Sequence, residues 1–333
     1  MRSKLWTYFL MLTCVTKLIA QDFQFTQFYA SPMMLNPGFT GLIYEHRFTA
    51  AYRNQWPGIK RSFTTYMATY DYNISNMNSG IGGFILQDRA GTSNLVTTLG
   101  GVNFAYRIKV DKFSELRLGA SVAMAQKKVD NTNLIFNDQL ISGSSVSQDA
   151  LSTQNINYAD IGLGAVYNTT NYWIGATAKH VNQPNTSLTS SLQALPIYTS
   201  VHGGYRYIIS SSGKGKTKLE EFVSASVNYR HQQKYDQLDI GAYYFRSKLN
   251  VGLWYRGLPL KRYKVGFPTR ESIAILVGFE IPDKNFKVGY SYDITVSRLG
   301  INSTQGAHEL TLVYEIFKKN KRNRRVLVSC PKF

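Results

Sequence analysis

The chain has 333 residues, of which 44% are hydrophobic, 14% aromatic and only 17% charged. The aromatic content argues against a disordered chain, because aromatic side chains bury large areas of surface. Two cysteines exclude a disulfide scaffold, and a mean hydropathy of −0.22 argues against a bundle of membrane-spanning helices. The formal net charge of +18 suggests an anionic partner.

Residues 1–20 have the pattern of a secretory signal peptide. Arg2 and Lys4 precede a mostly apolar stretch that ends at Ala20, and a basic start, an apolar centre and a small exit residue define such peptides. The alternative, a single transmembrane anchor, is disfavoured because the apolar run is short and contains Lys17. We expect cleavage after Ala20, which leaves a mature chain of charge +15 with Cys330 as its single cysteine.

The next segment, residues 21–43, reads neither as a long strand nor as a helix. It is rich in aromatic residues and contains Pro32 and Pro37, and proline interrupts both kinds of element. The many side chains of a type that proteins bury argue against the alternative of a disordered leader. We expect a plug-like segment, with the turn sequence that begins at Asn36 fixing it against a wall.

Residues 44–317 show repeated period-two alternation of apolar and polar side chains, which indicates β-strands with two different faces. In the clearest case, every second residue from Phe286 to Val296 is apolar. About fourteen such segments follow one another, near 44–54, 61–74, 79–89, 95–109, 114–128, 157–168, 171–181, 197–210, 219–232, 236–247, 249–257, 271–282, 285–297 and 308–318.

The predicted strands are long, about ten or more residues against the usual five or six. An even number of long, alternating strands is typical of a transmembrane β-barrel. We therefore predict an all-β protein, an antiparallel barrel of about fourteen strands in the bacterial outer membrane, with tyrosine-rich apolar faces toward lipid and polar faces toward the lumen. The alternative is a soluble sandwich, which would turn the apolar faces inward.

The lengths of the connections support the barrel. If the first strand starts in the periplasm, the odd connections are extracellular, and in such barrels the extracellular connections are the longer ones. Three odd connections read as long loops, at 129–157, 182–196 and 257–270. The even connections read as tight turns at 110–113, 168–171, 248–249 and 282–285, with a looser stretch at 210–218.

The C-terminal tail, residues 318–333, is strongly basic. It has seven basic residues, no acidic residue and therefore nearly half of the mature net charge. Such a tail on a barrel that ends in the periplasm is suited to anionic headgroups or to an acidic protein partner. The alternative is a solvated tail that contacts nothing, and nucleic acid is not a plausible partner for a secreted barrel.

The sequence contains no pattern that predicts catalysis, a cofactor or a metal. It has no G-x-S-x-G, no P-loop and no C-x-x-C. Its five histidines are scattered along the chain and unpaired in sequence, so we expect them at lumen or interface positions. We expect no enzyme and no cofactor, although a Ser–His pair on the outer wall of a barrel enzyme is an open alternative.

Three motifs follow one another near the N-terminus: QDFQFTQF from Gln21, LNPGFTG from Leu35 and YRNQW from Tyr52. They resemble the PorP/SprF family of the type IX secretion system, outer-membrane proteins of Bacteroidota. The resemblance implies a role in the export or surface attachment of large adhesins, including gliding-motility adhesins, through their C-terminal sorting domain. It also implies contact with periplasmic components linked to peptidoglycan, and it implies no catalysis.

We predict that partners are bound by residues of the leader, of the end of the first strand and of the tail. At the first strand, Trp56 with Pro57 and Gly58 forms a rigid aromatic corner that could anchor a protein, although a tryptophan of the membrane girdle is an equal alternative. The alternative function is a passive or fatty-acid-type transporter with an N-terminal plug. The candidate residues are Gln27, Phe28, Asn36, Pro37, Arg53, Asn54, Gln55, Trp56, Lys321, Arg322, Arg324 and Arg325.

Overall fold

The structure is a computed structural model of the chain. It describes residues 22–42, 45–60, 62–91, 95–129, 137–145, 155–188, 192–212, 219–264, 267–281 and 285–316. The expected signal peptide and the basic tail, with Lys321, Arg322, Arg324 and Arg325, lie outside the described residues.

Fourteen antiparallel strands close into a barrel in which neighbours in sequence are neighbours in space. The barrel closes between β1 and β14, which pair in register from His46↔Ile316 to Gln55↔Ala307. The all-β barrel predicted from the sequence is confirmed. The strands are β1 His46–Gln55, β2 Phe63–Ile74, β3 Ser79–Ala90, β4 Leu95–Lys109, β5 Glu115–Val129, β6 Asn155–Asn168, β7 Tyr172–Lys179, β8 Tyr198–Ser212, β9 Leu219–Gln232, β10 Tyr235–Arg246, β11 Leu249–Lys264, β12 Phe267–Ile281, β13 Phe286–Thr295 and β14 Ala307–Ile316.

The two ends of the barrel differ, and we name them by their connections. The turn end is where β1 begins, and each of its connections spans six residues or fewer. The loop end is where β1 ends, and it carries the long connections at 130–154 and 180–197. Those two agree with the predicted long loops.

The third predicted long loop, 257–270, is wrong. β11 continues to Lys264 and β12 begins at Phe267, and the ladder continues through register shifts at Arg256/Gly257 and beyond. Bulges of this kind break the period-two pattern while they preserve backbone pairing. The sequence therefore reads as a loop where the structure has an irregular hairpin.

Side-chain exposure alternates along the strands as the sequence predicts. On β1, Phe48 is 45% exposed while Thr49 is 3% exposed, and on β4, Val102 is 64% exposed while Asn103 is 4% exposed. The apolar side chains face outward, toward the lipid of a membrane.

The described helices are short. They are α1 Pro32–Leu35, α2 Asn137–Ser142 and α3 Gly300–Thr304, with 3-10 turns at Pro37–Phe39 and Ser75–Met77. Among the described residues, none of the helices has the length and apolarity required to cross a bilayer.

Candidate functional site: the lumenal plug and the loop-end mouth

Residues 22–42, which we call the plug, run through the lumen from the loop end to the turn end. At the loop end, Thr26 is hydrogen-bonded to Glu309 of β14. At the turn end, Gly38 and Thr40 are hydrogen-bonded to Arg117 of β5. The chain then enters β1 from the turn end, so the plug crosses the barrel once before the first strand begins.

A single carboxylate holds the backbone of the plug at the loop end. Both oxygens of Glu309 accept backbone amides, from Thr26 at 2.7 Å and from Gln27 at 2.8 Å. Thr311 donates its hydroxyl to the Gln27 side-chain oxygen at 2.7 Å. Gln27 is therefore a lumenal plug residue that is 2% exposed and is hydrogen-bonded to two residues of β14.

Two arginines balance the charges of Glu309 and of its neighbour Asp293. Arg53 contacts Asp293 at 2.8 Å and Glu309 at 3.1 Å, and it donates to the Thr26 hydroxyl at 2.8 Å. Arg256 donates to the same hydroxyl at 3.0 Å, which in turn donates to Asp293 at 2.7 Å. Buried charges of both signs are thus paired around one plug residue, as the low polarity of an interior requires.

The middle of the plug packs through aromatic side chains. Phe28 meets Trp254 of β11 at a ring separation of 5.0 Å, and Tyr29 meets Tyr243 of β10 at 4.7 Å. Both contacts are edge-to-face, the geometry that aromatic quadrupoles favour. The lumen is therefore polar near the loop end, as predicted, but aromatic where the plug needs an apolar surface to pack against.

The turn that begins at Asn36 fixes the plug to the wall between β6 and β7. The Asn36 amide donates to the carbonyls of Ala165 at 3.1 Å and Ala176 at 2.9 Å, while its oxygen accepts the Gly38 amide at 2.8 Å. Pro37 opens a 3-10 turn, with its ring in the first position where proline costs no hydrogen bond. The predicted role of this turn as the contact with the wall agrees with the contacts of Asn36.

The same turn lies directly against the glycines of two strands. A Cβ added at Gly119 of β5 would overlap the backbone of Pro37 and Gly38, and one at Gly164 of β6 would overlap the Asn36 side chain. Only glycine allows the plug backbone to come this close to the strands.

Long side chains from the wall donate hydrogen bonds to three plug carbonyls. Arg117 donates to the carbonyls of Gly38 at 2.8 Å and Thr40 at 2.6 Å. Lys179 donates to the carbonyl of Met34 at 2.9 Å. The carbonyls of Met34, Gly38 and Thr40 thereby keep hydrogen-bond partners inside the lumen, which offsets the cost of desolvating these backbone groups.

The N-terminal end of the plug is held by a histidine between two carboxylates. His180, directly after β7, contacts Asp22 at 2.7 Å and Asp160 of β6 at 2.8 Å. Burial opposes the charged form of His180, but the hydrogen bonds to Asp160 and Asp22 outweigh it and raise its pKa to about 9. Burial likewise opposes ionisation of Asp22, yet contact with His180 leaves the pKa of that carboxyl lowered. The sequence pattern shows no partner for His180, but in the structure His180 contacts two carboxylates.

This pair predicts a pH-dependent release of the plug's first residues. The stabilisation by protonated His180 is fully present below its unfolded pKa of about 6.5 and is lost as pH rises through about 9. Hydrogen exchange at Thr26 and the residues before it should therefore accelerate between about pH 7 and about pH 10, after correction for intrinsic rates. In His180→Gln this extra acceleration should vanish, whereas His231→Gln should retain it. An identical pH profile in His180→Gln and in the unaltered protein would contradict the assignment.

The plug leaves an open mouth at the loop end. A cavity of about 330 Å³ lies there, with Asp22 and Gln24 of the plug on its lining. Gln55 and Trp56 line it from the end of β1. Asn54, the third candidate residue of this stretch, accepts a hydrogen bond from the Ser62 hydroxyl at 2.9 Å. The structure therefore separates the N-terminal candidates into lumenal residues (Gln27, Phe28, Asn36, Pro37, Arg53) and residues at the loop end (Asn54, Gln55, Trp56).

Several residues of the site lie outside the three sequence motifs. Glu309, Asp293, Arg256 and Arg117 hold the plug, and their one signal is that each lies on the polar face of an alternating strand. Among the described residues, no cluster of His, Cys, Asp and Glu is arranged to hold a metal ion.

A family model describing the type IX secretion system membrane protein PorP/SprF matches residues 18–314. The chain belongs to the PorP/SprF family. The match covers the plug, the strands β1 to β13 and β14 as far as Tyr314, so the resemblance seen in the N-terminal motifs extends over the barrel. This PorP/SprF protein is therefore a membrane component of type IX secretion, with the barrel fold of an outer-membrane protein. No curated protein sequence matches the chain significantly.

Several solved barrels are similar to this PorP/SprF chain in general shape. The Acinetobacter baumannii outer membrane protein Omp33 has 11% sequence identity and a TM-score of 0.43, over 83% of this chain and 100% of that chain. The P. putida toluene transporter TodX has 8% identity and a TM-score of 0.47, over 85% of this chain and 93% of that chain. A variant of the Rh. blastica porin has 8% identity and a TM-score of 0.36, over 82% and 100%.

Proposed function

We propose that this PorP/SprF protein binds large secreted adhesins at the outer membrane, through their C-terminal sorting domain, and assists their export or attachment to the surface. The observation that carries the proposal is the plug, which is fixed to the wall along its length by hydrogen bonds to buried side chains and backbone groups of the barrel. Because a fixed plug occupies the lumen, we infer that the barrel acts as a rigid scaffold that binds partners at its two ends. Gliding-motility adhesins are the expected cargo.

The proposal places the loop end outside the cell and the turn end in the periplasm. Long connections at 130–154 and 180–197 belong to one end only, and outer-membrane barrels carry their longer loops outside. In this orientation the mouth and the candidate residues Asn54, Gln55 and Trp56 face the cargo. The turn end faces periplasmic components linked to peptidoglycan.

The competing function is a passive or fatty-acid-type transporter. It requires a path past the plug, whereas Arg53 and Glu309 tie Thr26 and Gln27 to the wall near the loop end and Asn36 ties the turn to β6 and β7. Conductance in planar bilayers distinguishes the two functions. We expect little conductance, and an open, solute-selective pore in the unaltered protein would refute the scaffold.

The direct test is deletion of the gene, followed by measurement of adhesins on the cell surface and in the medium. We expect surface adhesin to fall and a plasmid copy of the gene to restore it. An unchanged amount of surface adhesin in the deletion strain would refute the proposal. As a matched control, the abundance of other outer-membrane barrels should stay constant.

Removal of residues 318–333 is expected to weaken a periplasmic complex without unfolding the barrel. The seven basic residues of the tail would contact an acidic partner or anionic headgroups, and β14 ends at Ile316, before the deletion. Co-purification from native membranes measures the complex, and heat-modified migration on gels measures the barrel. A variant with the seven basic residues changed to glutamine separates charge from length. An intact complex after truncation would discard the role of the tail.

A further inference from the structure

The mouth at the loop end contains a cavity whose lining differs from the rest of the lumen. Its volume of about 330 Å³ is at the lower end of the range of about 300–1,000 Å³ that is usual for small-molecule sites. Three aromatic rings and four side-chain amides are among its fifteen lining residues: Trp56, Tyr198, Tyr235, Gln24, Gln55, Gln232 and Gln237. We propose that this cavity is a carbohydrate-binding site that takes a neutral mono- or disaccharide unit. The proposal does not depend on the adhesin function.

The charged groups of the cavity are already paired, which favours a neutral ligand. Asp22 contacts His180 at 2.7 Å, and Arg230 is paired with Asp239. His231 contacts Asp236 at 2.6 Å, and Glu271 accepts a hydrogen bond from the neutral amide of Gln237 at 2.7 Å. A phosphate or a carboxylate entering the cavity would have to break one of these pairs, whereas a sugar hydroxyl can add to them as donor and acceptor at once.

The backbone of the cavity wall is occupied on β9, which pairs with β8 and with β10 along the lining. The ladder between β10 and β11 begins only at Asp239↔Arg256, so Tyr235 and Gln237 of β10 pair on one side and leave an edge to which a peptide can add as a strand. The side chains favour a sugar, because planar amides and aromatic faces match the hydroxyl edges and C–H faces of a sugar ring.

Trp56 is held in the cavity by an unusual backbone conformation. Its φ is +61°, a region that bulky residues enter only when the surroundings impose it. The Trp56 amide donates to the Gly306 carbonyl at 2.8 Å, and its own carbonyl accepts the amide of Ile59 at 3.0 Å. The indole packs edge-to-face on Phe63 at 5.6 Å. The strain and the packing together fix one aromatic ring at the rim, as a stacking platform requires.

Tryptophan fluorescence of the full-length protein in detergent tests the site. Trp173 and Trp254 are 2% and 3% exposed, so Trp56 is the described tryptophan that can report a ligand in the mouth. The probes are maltose, cellobiose and N,N′-diacetylchitobiose, with saturation-transfer NMR as a second readout. We expect a saturable fluorescence change with at least one disaccharide. Trp56→Phe should abolish the fluorescence change, while NMR should detect binding that is retained.

Two variants and one control locate the binding. Tyr235→Ala and Gln55→Leu should each weaken binding by about ten-fold or more, which corresponds to about 1.4 kcal/mol. Gln126→Leu changes an exposed glutamine of β5 outside this lining and should bind as the unaltered protein does. Heat-modified migration shows that each variant is folded. The proposal is overturned if none of the three sugars binds saturably, if both cavity variants bind normally, or if only an unstructured Ser/Gln-rich peptide binds.

Discussion

Replacement of Glu309 with alanine is expected to release the loop-end half of the plug and to open the barrel to ions. The carboxylate accepts two backbone amides of the plug, at 2.7 and 2.8 Å, and pairs with Arg53 at 3.1 Å. Its removal leaves two amides without an acceptor and one arginine with a single acidic partner. Breaking a buried pair of this kind costs roughly 3–5 kcal/mol, so the loop-end half of the plug should be released far more often than in the unaltered protein.

Three measurements follow the released plug. Planar-bilayer conductance should rise well above that of the unaltered protein. Chymotrypsin should cleave after Phe25 or Phe28, since both rings leave their packing, and the thermal midpoint should fall. Glu309→Gln retains one acceptor and should lie between alanine and the unaltered protein.

The matched control for this experiment is Glu221→Ala, which removes a carboxylate whose partner is the exposed hydroxyl of Tyr244. Exposed pairs contribute about 0–1 kcal/mol, so conductance and cleavage should not change. Normal conductance together with an intact plug in Glu309→Ala would show that the carboxylate does not hold the plug.

The barrel could be predicted from the sequence because each strand carries its own signal. Phe286 to Val296 alternates over its whole length, and a period of two fixes which face is apolar. The signal fails where the backbone slips, as at Gly257, because a bulge shifts the side chains while the hydrogen bonds continue. The number of strands and the two longest loops could therefore be predicted from the sequence. The length of the β11–β12 hairpin could not.

The plug contacts could not be predicted, because their partners are far apart in the chain. Thr26 and Glu309 are separated by 283 residues, and nothing local at either position indicates the other. The sequence indicates that Glu309 lies on the polar face of a strand and that Thr26 belongs to a motif. It does not indicate that the two residues share a hydrogen bond. Arg53 illustrates the same limit, because it lies beside Asn54 in one motif, yet its side chain turns into the lumen and is 3% exposed.

Replacement of Gly119 with alanine is expected to displace the turn of the plug at the other end of the lumen. An added Cβ would overlap the backbone of Pro37 and Gly38, and backbone cannot swing aside as the end of a long side chain can. Overpacking of this kind costs typically about 1–3 kcal/mol. The Asn36 amide would be drawn from the carbonyls of Ala165 and Ala176, which adds to the loss. Gly119→Val should have a larger effect of the same kind.

Gly83→Ala is the matched control, because it adds the same methyl group to β3, two strands away from β5, where the nearest atom would be 3.8 Å away. Both changes raise the intrinsic strand preference slightly, so any difference between them belongs to the plug. The thermal midpoint should fall in Gly119→Ala and stay constant or rise in Gly83→Ala. Chymotrypsin should cleave the plug in Gly119→Ala alone. The contrary result is an equal thermal midpoint and an equally protected plug in the two variants. It would mean that the turn can move away from β5, and that the position of the turn does not require a glycine at residue 119.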